Sequence, residues 1–163
     1  TAFEESGGVD NDICVQAVQL GTIEDDVTDY AQKVSQISPV NDVDWWYFQV
    51  NETTHFNGVL PSFKDFKVTV EIADLEEGAG YTLCARERGR GTIFGNQDVE
   101  DVCAEENEQC VTQGAGETFV RLEWAIEDRA GREDGVALAL KVSAANPSAC
   151  SPYTLRYNSV LTE

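Results

Sequence analysis

Residues 119–127 read FVRLEWAIE, and apolar side chains occupy every second position from Val120 onward. Val120, Leu122, Trp124 and Ile126 would share one face of an extended strand, with charged residues and one alanine between them. Successive side chains of a β-strand point to opposite faces, so a period of two is typical of a strand with one face in a core and one in water. The stretch therefore predicts a half-buried strand.

The same alternation recurs along the chain. It appears in VTVEI from residue 68, in YTLCA from residue 81, in GVALALKVS from residue 135 and in YTLRYNSV from residue 153. Glycine-rich turn clusters such as EEGAG at 76–80 lie between these stretches. The best helix candidate, DICVQAVQL at 12–20, is short and equally consistent with a strand. Eight or nine short strands, spaced by about 8–12 residues, predict an antiparallel β-sandwich.

The length and charge of the chain exclude several classes of partner. There are 163 residues, with 30 acidic and 11 basic side chains and a formal net charge of −19. Contacts to phosphates need a basic face, so no nucleic-acid partner is expected. No segment approaches the roughly 20 apolar residues that span a bilayer, so membrane insertion is not expected. We predict a monomer with a flexible lead-in at residues 1–9 and a single domain at residues 10–163.

Five cysteines predict disulfide bonds, and with a single histidine in the chain a zinc site is not expected. Cys103 and Cys110 bracket the polar stretch CAEENEQC, and Cys84 ends a strand-like run before it. We expect at least one bridge among these three residues, closing the loop 84–103 or 103–110, with Cys14 and Cys150 as a further pair. The odd count leaves one thiol free or paired outside the chain. Buried reduced cysteines are the alternative.

A second decisive stretch, NDVDWWYFQV at residues 41–50, places acids directly before a run of aromatics. Alternation assigns Asp44, Trp46, Phe48 and Val50 to one face, which beyond its acid is a core stripe. Asp44 then lies where the strand enters the core. An unpaired buried charge costs several kcal/mol, so this carboxylate needs turn amides, an arginine or a cation. With the other strands, the pattern predicts a core that includes the residues Trp46, Phe48, Val70, Leu83, Leu122, Trp124, Leu138 and Leu155.

The opposite face of this strand carries Trp45 and Tyr47. Exposed aromatic side chains mark interaction surfaces, so these two residues are candidate ligand contacts. Packing beneath the loop at residues 51–63 is the alternative.

Three short motifs follow one another in a defined order. They are Asn-Asp with a downstream alanine, Asp followed by aromatics and Phe-x-Val, and a terminal Tyr-x-Leu, matched by Asn11, Asp12, Ala17, Asp44, Trp46, Phe48, Val50, Tyr153 and Leu155. In this order, from about residue 10 to residue 157, the chain resembles the bacterial prepeptidase C-terminal domain family, which includes the collagen-binding modules of clostridial collagenases. The resemblance implies a jelly-roll-like sandwich attached to secreted enzymes or surface proteins. Collagen binding is not expected, because the run ALALKVSAA contains no aromatic residue.

The resemblance also implies a calcium site. Calcium-binding members take ligands from the acidic N-terminal segment and from the acidic turn before the aromatic strand. The matching positions are Asp10, Asn11, Asp12, Asn41, Asp42 and Asp44. Calcium takes six to eight oxygen ligands, and turns dense in Asp and Asn supply them. The same residues also form turns without metal, which is the alternative.

These observations predict a non-catalytic accessory or binding module of a secreted or cell-surface protein. Its partner would be a polysaccharide or an extracellular protein. The chain contains no methionine and opens on a short acidic, glycine-containing segment, so we expect a mature extracellular, periplasmic or surface form with its signal peptide or lipoprotein leader removed. No nucleophile-elbow, phosphate-loop or zinc-protease motif is present, so catalysis is not expected. The alternatives are a structural surface domain without a small ligand and a carbohydrate-binding module.

Overall fold

The described part of the chain folds almost entirely into β-strands. A computed structural model describes residues 11–37, 42–52, 55–57, 60–62, 64–89, 99–127, 135–148 and 150–162. Eleven strands lie in these residues: β1 Val18–Glu24, β2 Val27–Ile37, β3 Val43–Asn51, β4 His55–Asn57, β5 Leu60–Ser62, β6 Phe66–Ala73, β7 Tyr81–Gly89, β8 Glu108–Thr112, β9 Val120–Ile126, β10 Val136–Ala144 and β11 Ser151–Leu161. A 3₁₀ turn at Cys14–Gln16 and a short helix α1 at Val99–Cys103 complete the elements.

Nine of these strands form two packed sheets. Sheet A has the order β1-β3-β10-β7-β8, and sheet B has the order β2-β11-β6-β9. Ladders with a stated register are antiparallel except for β1 beside β3, which is parallel. From β2 onward the chain crosses repeatedly between the sheets, so that β2-β11-β6-β9 faces β3-β10-β7-β8. Two interleaved four-stranded sheets of this order are a jelly roll, and the predicted β-sandwich is confirmed.

The core lies between the two sheets. Of the eight predicted core residues, seven are buried, and Leu122 is half-buried and packs against the same cluster. The alternation found in FVRLEWAIE is the burial pattern of β9, where Val120 and Trp124 are buried while Arg121 and Glu123 are exposed. The period of two therefore assigned the inner face of this strand correctly.

The candidate helix at residues 12–20 is divided between two elements. Cys14–Gln16 form the 3₁₀ turn, and β1 begins at Val18. The apolar residues of this segment do not share one helical face, because Ile13 is half exposed at 51% whereas Ala17 is buried. The predicted lead-in at residues 1–9 lies outside the described residues.

Two disulfide bonds are formed. Cys84 pairs with Cys110 across the ladder between β7 and β8, and Cys14 pairs with Cys103. The bridge expected among Cys84, Cys103 and Cys110 is thus confirmed, although it closes neither of the two loops that the spacing suggested. The predicted pairing of Cys14 with Cys150 is wrong, since Cys14 contacts α1 on the outer side of sheet A while the free Cys150 precedes β11 in sheet B.

Candidate functional site

The predicted calcium ligands lie on two segments that meet at the start of β3. The backbone N–H of Trp45 donates to the carbonyl of Asn11 at 3.0 Å, and Asn11 Nδ2 donates to the carbonyl of Trp45 at 3.2 Å. Asn11 is buried, Asp42 is half-buried and Asp12 is exposed. The structure therefore brings the N-terminal segment beside the acidic turn. Asp10 and Asn41 lie outside the described residues.

Asp44 is buried on the inner face of β3, as its position in the core stripe predicts. Its Oδ2 atom accepts hydrogen bonds from the hydroxyls of Tyr153 and Ser35, the latter at 3.1 Å. The Tyr153 hydroxyl in turn accepts a hydrogen bond from Trp46 Nε1 at 2.9 Å. Burial, and then the charge of Asp44, raise the pKa of Tyr153 well above its ordinary value, so this tyrosine stays a neutral donor. The hydroxyl groups of Tyr153 and Ser35 thus supply much of the stabilisation of the Asp44 carboxylate that we expected from turn amides, an arginine or a cation.

Trp45 and Tyr47 are not exposed, and the predicted aromatic contact surface is wrong. Their exposed fractions are 6% and 4%. Both lie on the outer face of sheet A and pack in a second cluster with Val102, and with Cys14 and Cys103 at its margin. The cover is therefore the 3₁₀ turn and α1, and the disulfide joins these two elements above the aromatic rings.

Cations of sheet A hold this cover in place. Arg86 and Lys141 both lie over the ring of Trp45, at 5.3 Å and 5.6 Å from its centroid. Arg86 Nη1 also donates to the carbonyl of Cys103 at 2.6 Å, at the end of α1. Arg88 Nη1 donates to the carbonyl of Asp101 at 3.2 Å. The two arginines of β7 therefore donate to the backbone of α1. This helix covers the outer face of sheet A at this point.

Glu108 completes this charged layer. Its carboxylate pairs with Arg86 at 3.0 Å and with Lys141 at 3.2 Å. Burial alone would raise its pKa, but the hydrogen bonds from Lys141 and Arg86 outweigh burial and hold the pKa of Glu108 below its ordinary value. Glu108 is thus ion-paired with two cations of sheet A.

A cleft lies between β8 and β9, the edge strands of the two sheets. Its volume is about 550 Å³, and it is lined by Ala85 and Glu87 of β7, by residues 106–109 and by Trp124 of β9. β8 is the last strand of sheet A and β9 the last strand of sheet B, so the cleft occupies the open edge of the sandwich. Its size lies within the range of about 300–1,000 Å³ found for small-molecule sites.

Two buried polar atoms of the cleft residues have no partner among the described residues. They are Glu87 Oε2, from sheet A, and Trp124 Nε1, from sheet B. Burial raises the pKa of Glu87. An unsatisfied buried polar group costs about 1–3 kcal/mol, and such groups call for a specific explanation in native proteins. Both atoms are closed to solvent in this structure, so a group in the cleft cannot bond to either without a rearrangement of these side chains.

Sequence reasoning missed this cleft, although one signal for it was present. In the run from residue 81, the inward positions are Tyr81, Leu83 and Ala85, so the next inward position is Glu87. A carboxylate at the end of a stripe of core residues was the signal for this site. Trp124 was correctly assigned to the core, but not to a site.

A further group of possible metal ligands lies among the described residues. The ligand atoms of Cys84, Glu108 and Cys110 lie within 4.8 Å of one another. Because the two sulfurs are bonded to each other, this group offers no thiolate for a metal. It gives no support for calcium, which takes oxygen ligands.

In the described part of the chain, no helix combines the length and apolar character needed to cross a bilayer.

No protein-family model and no curated protein matches the chain. Among solved structures, the enzymatically active domain of bacteriophage CBA120 tailspike protein 4 is 12% identical, with a TM-score of 0.41, over 83% of this chain and 18% of that one. A CBM4 structure is 7% identical, with a TM-score of 0.35, over 83% of this chain and 77% of that one. TmCBM61 in complex with β-1,4-galactotriose is 8% identical, with a TM-score of 0.34, over 85% of this chain and 91% of that one. All three TM-scores are below 0.5, so these similarities define no family for the chain.

Proposed function

We propose that the chain is a non-catalytic binding module of a secreted or cell-surface protein, and that its ligand occupies the cleft between β8 and β9. The observation that carries this proposal is the cleft of about 550 Å³ at the open edge of the sandwich, lined by residues of both sheets. A cleft of this size is large enough to hold a small ligand or one unit of a polymer.

The disulfide bonds support the proposed location outside the cytosol. Bonds such as Cys14–Cys103 and Cys84–Cys110 form and persist in oxidising surroundings, outside the reducing cytosol. A module of the prepeptidase C-terminal type on an extracellular, periplasmic or surface protein fits this chemistry.

Calcium belongs to the same proposal as a stabilising ion. Asn11, Asp42 and Asp44 provide the hard oxygen ligands that calcium prefers, and the hydrogen bonds between Asn11 and Trp45 keep the two segments adjacent. In this role the ion would attach the N-terminal segment to β3 at a position distinct from the cleft.

The proposed absence of catalysis can be compared with the carboxylates of the cleft. Glycoside cleavage by the common mechanisms needs two carboxyl groups placed on either side of the scissile bond. Glu108 is committed to Arg86 and Lys141, so its charge is already neutralised by neighbours. Glu87 and Glu106 remain as two further carboxyl groups of the cleft, so recovery of the bound ligand with its chain length unchanged is the measurement that tests this part of the proposal.

The test is a binding screen with an analysis of the recovered ligand. The immobilised module is exposed to a panel of purified polysaccharides and glycoproteins, with Trp124→Phe beside the wild type. We expect at least one ligand to bind reversibly, to bind more weakly to the variant, and to be recovered with its chain length unchanged. Failure of every panel member to bind, or breakdown of the bound ligand, would contradict the proposal.

A structural surface domain is the second candidate. It is favoured by the burial of Trp45 and Tyr47, which removes the exposed aromatic patch that the sequence suggested. Under this alternative the open edge of the sandwich is only a packing imperfection. Substitution of Glu87 by glutamine would then increase stability without changing the binding of any ligand.

A further inference from the structure

We propose that β2 is an interaction surface for a second copy of this chain, which pairs with it antiparallel across a two-fold axis. The contact would join the four-stranded sheet B of one copy to sheet B of the other in one continuous sheet. This inference departs from the monomer that we expected from the sequence, and it does not depend on what the cleft binds.

The length of β2 distinguishes it from the other edge strands. Four strands end the two sheets, namely β1 and β8 in sheet A and β2 and β9 in sheet B. β2 has eleven residues, whereas β1 and β9 have seven and β8 has five. An edge strand presents backbone N–H and C=O groups on its outer side, and the strand of another chain can pair with them. The longest edge offers the most such pairing.

β2 is also open to solvent and poorly protected against pairing. Residues 28–30 and 32–34 are all exposed, and Val34 has an exposed fraction of 71%. Edge strands commonly avoid association through proline or several charged side chains. β2 contains no proline, and Asp29 and Lys33 are its only charged residues. A valine this exposed at a sheet edge gains from contact with a second strand.

The two charges of β2 define how a second copy fits. An antiparallel pair centred on Ala31 places Asp29 of one copy opposite Lys33 of the other, and two-fold symmetry repeats this contact. The same register places Thr28 opposite Val34, two β-branched residues, on the other face. Opposite charges and β-branched pairs directly across an antiparallel ladder are stabilising. β2 is therefore complementary to itself.

The pairing has to accommodate one irregularity of β2. Its register against β11 shifts between Val27 and Ala31, but strand conformation continues from Val27 to Ile37. Residues 28–30 are exposed, so their side chains are accessible to a second copy. Each of the proposed cross-copy pairs beyond the axis then joins one residue of 28–30 to one of the regular part.

Electrostatic repulsion between copies is low at this edge. The chain has a formal net charge of −19, yet residues 30–41 contain no acid and one base, Lys33. At physiological ionic strength, exposed charges more than about 8 Å apart are largely screened, so the charges at the contact itself decide. The remaining acids of the chain therefore do not prevent two copies from meeting at β2.

Pairing through β2 would separate the two clefts. The cleft lies beside β9, which is the opposite edge of sheet B, so the clefts would lie at the far ends of the joined sheet. Two sites on one dimer can engage a polymeric ligand together and raise its avidity without any new contact. This consequence rests on the proposed function, whereas the pairing itself does not.

Sedimentation equilibrium of the intact chain tests the pairing. The protein is examined from about 10 µM to about 1 mM, in about 0.15 M salt. We expect a reversible dimer to form within this range, because the contact of one strand with another is small. Amide hydrogen exchange of β2 should be slower at the highest concentration than at the lowest. A chain that stays monomeric throughout overturns the proposal.

A charge swap tests the register. Asp29→Lys and Lys33→Asp each place like charges opposite one another and should raise the dissociation constant of the dimer about tenfold or more. The double variant restores opposite charges and the net charge of the wild type, so its dissociation constant should return to within about threefold of the wild-type value. Lys67→Asp makes the same change as Lys33→Asp on β6, inside the sheet, and should have no comparable effect.

The outcomes of the swap are distinct. Asp29 and Lys33 are exposed, so these variants should fold with the melting temperature of the wild type. A dimer that both single substitutions leave unchanged would overturn β2 as its contact. Failure of the double variant to recover would overturn the register centred on Ala31. None of these results depends on whether a glycan or glycoprotein binds to the cleft.

Discussion

The hydroxyl of Tyr153 donates a hydrogen bond to the carboxylate of Asp44, which lies 109 residues earlier in the chain, and thereby joins β11 of sheet B to β3 of sheet A. Both residues are fully buried or nearly so, at 0% and 2% exposure. This bond connects the two sheets through polar groups within an otherwise apolar core.

Tyr153→Phe should therefore destabilise the fold strongly. The change removes a donor from the buried Asp44 and an acceptor from Trp46 Nε1 while conserving the ring. We expect a loss of at least about 2 kcal/mol in the free energy of unfolding, measured by denaturant titration. Tyr30→Phe makes the same chemical change at an exposed position of β2 and should stay within about 0.5 kcal/mol of wild type. Equal losses in the free energy of unfolding for the two substitutions would show that the bond between Asp44 and Tyr153 does not hold the sheets together.

The two disulfide bonds should differ in their contribution to stability. Cys14 and Cys103 are 89 residues apart, whereas Cys84 and Cys110 are 26 apart. Loop-closure entropy of the unfolded chain then predicts losses of about 4.6 and about 3.5 kcal/mol when each pair is replaced by alanines. Denaturant titration of the two double variants measures the difference, and a larger loss for the Cys84–Cys110 pair would contradict the entropic account. Alkylation of the unreduced wild type should first find one reactive thiol, that of Cys150.

Glu87 should lower stability as the pH rises. Burial raises the pKa of Glu87 in the folded state, so the folded chain holds this proton more tightly than the unfolded chain does. The stability present below the unfolded value of about 4.3 is then lost as the pH increases through the folded pKa. Glu87→Gln should raise the melting temperature at pH 7 and have a smaller effect at pH 4. Glu77→Gln, at an exposed turn, controls for the removal of one negative charge and should show no comparable pH dependence.

Calcium should raise the melting temperature if the proposed ion is bound. Stabilisation follows RT ln(1 + [Ca²⁺]/Kd), which gives about 2.7 kcal/mol at a hundredfold excess over Kd. For an extracellular module we expect Kd near about 10⁻⁴–10⁻³ M. Asp42→Asn should reduce the gain in millimolar calcium relative to chelator, and Asp29→Asn on the exposed part of β2 should not. Indistinguishable melting curves in calcium, magnesium and chelator would leave Asp42 and its neighbours as turn residues.

The sequence predicted the sandwich well because alternation is local. FVRLEWAIE became β9 with the expected inner face, and Asp44 lies on the same face as Trp46 and Phe48. Each of these inferences needs only the direction of successive side chains along one strand.

What covers a strand from outside is a non-local property, and here prediction failed. Alternation placed Trp45 on the outer face of β3 correctly, but whether that face meets water depends on the path of the 3₁₀ turn and α1. Those elements reach it because Cys14 bonds to Cys103, and cysteine spacing alone does not fix the pairing of five cysteines. The cleft was missed for a related reason. Trp124 could be assigned to the inner face, but its position at an open edge depends on which strands end the two sheets.

The placement of β11 determines when the fold can be completed. This last strand lies inside sheet B, between β2 and β6, and pairs with both. A chain emerging from its amino end can form the β6–β9 and β7–β8 pairs early, whereas β2 has no partner in its sheet until Ser151–Leu161 has been synthesised. Sequence-distant pairing of this kind also makes folding slow relative to helical proteins of similar size. Until β11 is available, sheet B therefore lacks the strand that joins β2 to β6.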